Sequence, residues 1–81
     1  YPKELNTLAK KALFDNVGKN EKLALVLHDY IVHNKPDGWR GNKIKEKQVR
    51  NAIKKVLDDF NIKNETEVDK VLELVKNQNE Y

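Results

Sequence analysis

Apolar residues recur along this chain at intervals of three and four, the period that places side chains on one face of an α-helix. Leu5, Leu8, Ala9, Ala12 and Leu13 form a first stripe, which Phe14 and Val17 extend. Gly18 follows, where a helix end wants a residue that tolerates left-handed backbone. A second helix is expected from Asn20, an N-cap with Glu21 in its first turn. Leu23, Val26, Leu27, Tyr30 and Ile31 are its inward stripe, widened by Ala24, Leu25 and Val32. A helix apolar over so much of its circumference is expected to be the most buried of the set.

Pro36 stops that helix at Lys35, and Lys35-Pro36-Asp37-Gly38 has Pro and Gly where a type I turn favours them. Trp39, Arg40, Gly41 and Asn42 complete the longest stretch without periodicity. Asn42 is a suitable N-cap for a third helix with the stripe Val49, Ala52, Ile53, Val56, Leu57 and Phe60, which Asn61 can end. In the fourth, Asn64 and Glu67 have capping-box spacing, and Val68, Val71, Leu72 and Val75 face inward. Asn77 to Tyr81 are polar apart from Tyr81 and are expected to fray. No strand-like alternation, repeat or low-complexity segment is present. The expected fold is all-α: a compact four-helix domain spanning residues 1–81, each helix antiparallel to the next.

Eighty-one residues make one domain, and a chain this short buries only about 60% of the surface its unfolded form exposes. There is no Met and the sequence starts at Tyr1, so it reads as a piece of a longer polypeptide. The absence of Cys rules out disulfide staples and thiolate metal sites and fits a reducing compartment, so the expected location is the cytoplasm. No apolar run approaches the roughly 18 residues of a membrane span. The net charge of +3 is too small to argue nucleic-acid binding by itself, but it is unevenly placed. Residues 35–55 carry eight basic side chains against Asp37 and Glu46, and residues 56–81 carry seven acidic against three basic.

The familiar catalytic constellations are missing. Gly18, Gly38 and Gly41 are scattered and precede no Lys-Ser or Lys-Thr pair, so there is no phosphate loop. Ser and Cys are absent, and Thr7 and Thr66 fall where helix starts use them as caps, which leaves no nucleophile. His28 and His33 are five apart, on different helix faces, unlike a zinc-binding i, i+4 pair. Asp29 and His33 could share a metal, although a surface salt bridge explains them as well. The expectation is no catalytic residue, no cofactor and no metal within these residues.

Two features could carry binding. Lys43, Lys47, Arg50 and Lys54, at i, i+4, i+7 and i+11, line one face of the third helix. They could follow a phosphate backbone or meet an acidic partner. They could equally be the solvated side of an amphipathic helix, neutralised in part by the acidic fourth helix, and the residues favour this plainer reading. Trp39 beside Arg40 would make an interface anchor if exposed. Alternatively it plugs the end of the bundle with its ring nitrogen bonded to a carbonyl, which the scarcity of large residues favours.

The order of residues adds a resemblance. Ala12-Leu13-Phe14-Asp15-Asn16, Glu21-Lys22-Leu23-Ala24-Leu25 and His28-Asp29 resemble the C-terminal helical domain of the restriction subunit of type I restriction-modification enzymes. So do Asp37-Gly38-Trp39-Arg40-Gly41-Asn42, Ile44-Lys45-Glu46-Lys47, Arg50-Asn51-Ala52-Ile53 and the closing Glu73-Leu74-Val75-Lys76-Asn77-Gln78 with Tyr81. The similarity covers about residues 12–81, and Trp39-Arg40-Gly41-Asn42 and the ending are its most specific parts. It implies a C-terminal piece of an ATP-dependent, DNA-translocating endonuclease whose nuclease and motor motifs all lie elsewhere. It further implies that this piece docks the motor subunit onto a core of modification and specificity subunits, reaching DNA only through the whole complex. No catalytic residue carries over. Trp39, Arg40 and Asn42 gain weight as structural or partner-contacting residues. The alternative is a nucleic-acid-binding module using the basic residues 35–55.

Overall fold

A small polar residue in extended backbone starts each helix, its side-chain oxygen accepting a backbone N–H that the helix leaves unpaired. In the computed structural model, which describes residues 1–81, Thr7 opens α1 (Leu8–Asn16) and Asn20 opens α2 (Glu21–Asn34). Asn42 opens α3 (Lys43–Asp59) and Asn64 opens α4 (Glu65–Lys76). Two ends close with left-handed backbone. Gly18 follows α1, and the Lys19 N–H returns to the Phe14 carbonyl at 3.0 Å. Asn61 follows α3 with φ of 63°, while the Ile62 N–H bonds the Leu57 carbonyl and the Asn61 N–H bonds that of Asp58. This pair of returning bonds satisfies carbonyls that would otherwise be orphaned, and an asparagine supplies the conformation usually left to glycine.

The chain is all-helical. Each helix packs on the next, and α4 closes the ring against α1. The α3–α4 pair is antiparallel: Arg50 in the middle of α3 reaches Glu65 at the start of α4, and Glu46 near the start of α3 reaches Lys76 at the end of α4. Inside the ring lies one apolar cluster drawn from all four helices, with Leu13, Leu27, Ile31, Ile53, Leu57 and Val75 fully enclosed. No helix is long and apolar enough to cross a membrane.

The third and fourth stripes face inward as their spacing predicts. The first two depart from the expected pattern. Thr7 caps the first helix, so Leu5 precedes it in a turn held by the Leu5 N–H on the Pro2 carbonyl at 3.0 Å, and Leu5 is buried there. Leu8, expected to face inward, is 81% exposed. It sits one residue before the buried Ala9, which turns it about 100° away from the core. In α2 the buried side is rotated towards Ala24 and His28, leaving Val26 and Tyr30 half-buried and Val32 exposed. The second helix is therefore not the distinctly most enclosed element.

Asn64 makes a shorter cap than the capping box predicts: its side chain accepts the Thr66 N–H, so Thr66 is not itself a cap. The turn after α2 also falls later than expected, at Asp37 and Gly38, with Gly38 in left-handed backbone at φ 65°.

Candidate interaction surface

The loop between α2 and α3 is built as a clamp. Trp39 is only 3% exposed and joins the core cluster, so it plugs the bundle and offers no free anchor. The expected ring hydrogen bond is not made: the buried Trp39 Nε1–H has no acceptor. The indole is covered from outside by the Arg40 guanidinium, 5.2 Å from the ring centre. Arg40 Nε donates to the Lys76 carbonyl at 3.1 Å, and its Nη2 donates to the Gln78 carbonyl. The Lys76 carbonyl is the last of α4, where C=O groups lack helical partners and the helix dipole favours a cation, and Gln78 lies two residues beyond. Asn42 accepts the Lys45 N–H at 3.0 Å and donates its own N–H to the Trp39 carbonyl. Trp39, Arg40 and Asn42 thus all serve the fold: plug, clamp and cap.

What Arg40 clamps is the segment expected to fray. Tyr81 is 5% exposed, its ring 5.4 Å from that of His28 between centroids. Its hydroxyl is 2.6 Å from His28 Nδ1, and His28 Nε2 is 3.4 Å from Glu80 Oε2. Burial pushes the His28 pKa down, outweighing the opposing pull of the Glu80 carboxylate. The ring is therefore neutral at pH 7. Its Nδ1 accepts the Tyr81 O–H, and the hydrogen left on Nε2 points at Glu80. Burial pushes the Tyr81 phenol up, and the nearby Glu80 charge adds to the effect. His28 is the only buried ionisable side chain besides Tyr81, and the apolar pattern of α2 gave no hint that a residue 53 positions later would pair with it.

The basic strip on α3 divides in two. Arg50 bonds Glu65 at 2.6 Å and Asp69 at 3.0 Å, and Lys54 reaches Glu65 at 3.0 Å. The hydrogen bond from Arg50, then that from Lys54, holds the Glu65 carboxyl below its ordinary pKa, and Glu65 and Asp69 raise the Arg50 guanidinium in return. The acidic start of α4 has occupied the second half of the strip. Lys43 and Lys47, in the first half, are exposed and have no carboxylate within 4.0 Å. Lys35, which is half-buried, also has no carboxylate within 4.0 Å, while Lys45 donates to the Asp37 carbonyl at 2.8 Å.

Amid these cations stands Ile44, 76% exposed, in a helix whose other large aliphatic side chains are buried. Ile44, Gln48 and Asn51 share one face of α3 by their spacing, and Gln48 and Asn51 line a groove whose far wall is Tyr30 and Asn34 of α2. The signal for the exposure of Ile44 in the sequence is its place five residues before Val49, about 140° round the helix from that buried stripe.

His33 is exposed, and its Nδ1 lies 2.7 Å from the backbone carbonyl of Asp29 where a salt bridge was expected. No three His, Asp or Glu side chains converge as a metal site would require. No family model, curated protein or solved structure matches this chain.

Proposed function

We propose that this chain is a docking module, and that it serves the restriction subunit of a type I restriction-modification enzyme by holding it on the core of modification and specificity subunits. The assignment to that enzyme rests on the sequence resemblance. The observation that carries docking is the start of α3, where Lys43 and Lys47 lack counter-charges on the helix turn that also holds the exposed Ile44. An aliphatic side chain held in water beside unneutralised cations gains from a protein surface that supplies apolar contact and carboxylates together.

A second reading has a specific observation in its favour, since the same free lysines could meet phosphates. It is weakened because Arg50 and Lys54, which would extend a phosphate track along α3, are bonded to Glu65 and Asp69. Those carboxylates would also stand beside the nucleic-acid backbone and repel it.

The test is capture of the tagged chain by the modification and specificity subunits encoded beside its parent gene. A titration with a DNA duplex at 50 and 200 mM salt runs in parallel. Docking predicts capture of the core and weak, salt-sensitive DNA binding. Tight DNA binding with no capture refutes it.

A further inference from the structure

Residues 77–81 fold back from α4 as a strap with two fastenings. Arg40 holds its near end through the Lys76 and Gln78 carbonyls, and His28 of α2 holds its far end through the Tyr81 hydroxyl. The backbone N–H groups of Asn77, Gln78 and Tyr81 bond only to the carbonyls of Leu74, Val75 and Gln78, so none ties the strap to α1, α2 or α3. Asn79 and Glu80 are exposed, which leaves Tyr81 as the only buried side chain of the tip. The far fastening carries a protonation condition in its geometry. Nδ1 of His28, at 2.6 Å, is the one acceptor of the Tyr81 O–H, and it accepts only while it has no hydrogen of its own. A hydrogen on Nδ1 turns the phenol hydrogen away and leaves it without a partner in an enclosed place.

We propose that His28 and Tyr81 form a pH-sensitive catch: protonation of His28 releases the tip of the strap, residues 79–81, while Arg40 keeps residues 76–78 in place and the four-helix core stays folded. The charged groups around the ring pull in both directions. Glu80 in the strap, 3.4 Å from Nε2, and Asp29 on α2 favour the imidazolium. Enclosure of the ring and Lys10 on α1 oppose it, and enclosure is the largest influence. Opening returns His28 to water and to its ordinary pKa of 6.5. Closure therefore weakens by at most about tenfold for each pH unit below that value. The open tip bares the Tyr81 ring together with the ring-sized patch that it covers beside His28. The catch is built from this chain's own contacts and does not depend on which partner the domain docks.

The experiment is a proton NMR titration of the 81-residue chain from pH 8 down to pH 4.5. It follows the His28 ring, the Overhauser contact between the His28 and Tyr81 rings, and the methyl signals of Ile53 and Val75, which are fully enclosed in the core. The His28 ring is expected to titrate below its ordinary value, and its contact with Tyr81 to vanish with the same midpoint. The Ile53 and Val75 signals should hold their native positions through that midpoint. Two variants move the midpoint in opposite directions. Tyr81→Phe removes the O–H that requires a neutral ring and should raise it, whereas Glu80→Gln removes the carboxylate that favours the imidazolium and should lower it. Four results overturn the proposal: a His28 ring that stays neutral to pH 4.5, a His28–Tyr81 contact that survives protonation, loss of the core methyl signals at the same midpoint, or a Tyr81→Phe variant with an unmoved midpoint. The third would make the transition global unfolding rather than release of the tip.

Discussion

Replacing Tyr81 with alanine removes a ring that is 5% exposed and bonded to His28 at 2.6 Å. An enclosed aromatic side chain covers on the order of 150–200 Å², which at about 25 cal/mol per Å² corresponds to roughly 4 kcal/mol. Part of this is returned. Without Tyr81 the last residues are released from their ordered path, recovering about 1 kcal/mol of backbone entropy each, while Arg40 can still hold the Gln78 carbonyl. His28 is also re-exposed to water, so no ring nitrogen remains buried without a partner. The net expectation is a loss of about 2 kcal/mol. An 81-residue domain has about 4–12 kcal/mol in all, so the loss is a large fraction, equivalent to a fall in Tm of roughly 10 °C. Tyr81→Phe keeps the ring in place and strands His28 Nδ1, so it should cost about 1 kcal/mol. Urea unfolding followed by far-UV circular dichroism gives both values. Fluorescence of Trp39, the sole tryptophan, reports the clamp locally. A change below about 0.5 kcal/mol for Tyr81→Ala would refute the docked position of residues 77–81 and the clamp with it.

Arg40→Lys keeps the charge but loses the planar fork that reaches two carbonyls and covers the indole, so it should destabilise by about 1 kcal/mol in the same urea assay. His28 has a folded-state pKa below its unfolded value of 6.5, so the unfolded chain binds its proton first. The stability that follows is fully present above about pH 6.5 and is lost as pH falls through the lower folded value. Stability should therefore decline as pH falls below about 6.5, and His28→Gln should flatten that decline in urea midpoints read across the range. Glu65→Gln combined with Asp69→Asn frees Arg50 and Lys54, so DNA affinity should rise and become more salt-dependent in a titration at two ionic strengths. Unchanged affinity would mean that these carboxylates do not mask the strip.

The helices and most of the core were legible because α3 and α4 repeat a clean three-and-four spacing, and because Asn20, Asn42 and Asn64 announce their starts. The role of Leu5 was hidden because its spacing to Leu8 and Ala9 suits a helix, while the Thr7 cap begins the helix three residues later. Tyr81 was read as loose because its neighbours are polar, yet its partner His28, and the Arg40 that holds the Gln78 carbonyl, lie far back in the chain, and pairings at such separation leave no periodic trace. The partition of the basic strip was legible in outline, since the acidity of 56–81 is plain. Which lysines stay free depended on where Glu65 and Asp69 meet α3. Ile44 was overlooked because a lone exposed aliphatic residue in a helix looks ordinary until its neighbours are known to lack partners.

The most direct measurement is calorimetric titration of the purified 81-residue chain into the purified core of modification and specificity subunits, with the Ile44→Asp variant alongside. The account predicts a saturable interaction with a negative heat-capacity change from buried apolar surface, weakened at least tenfold by the variant. No binding to the core at tens of micromolar, from a chain that is folded by circular dichroism, would contradict it.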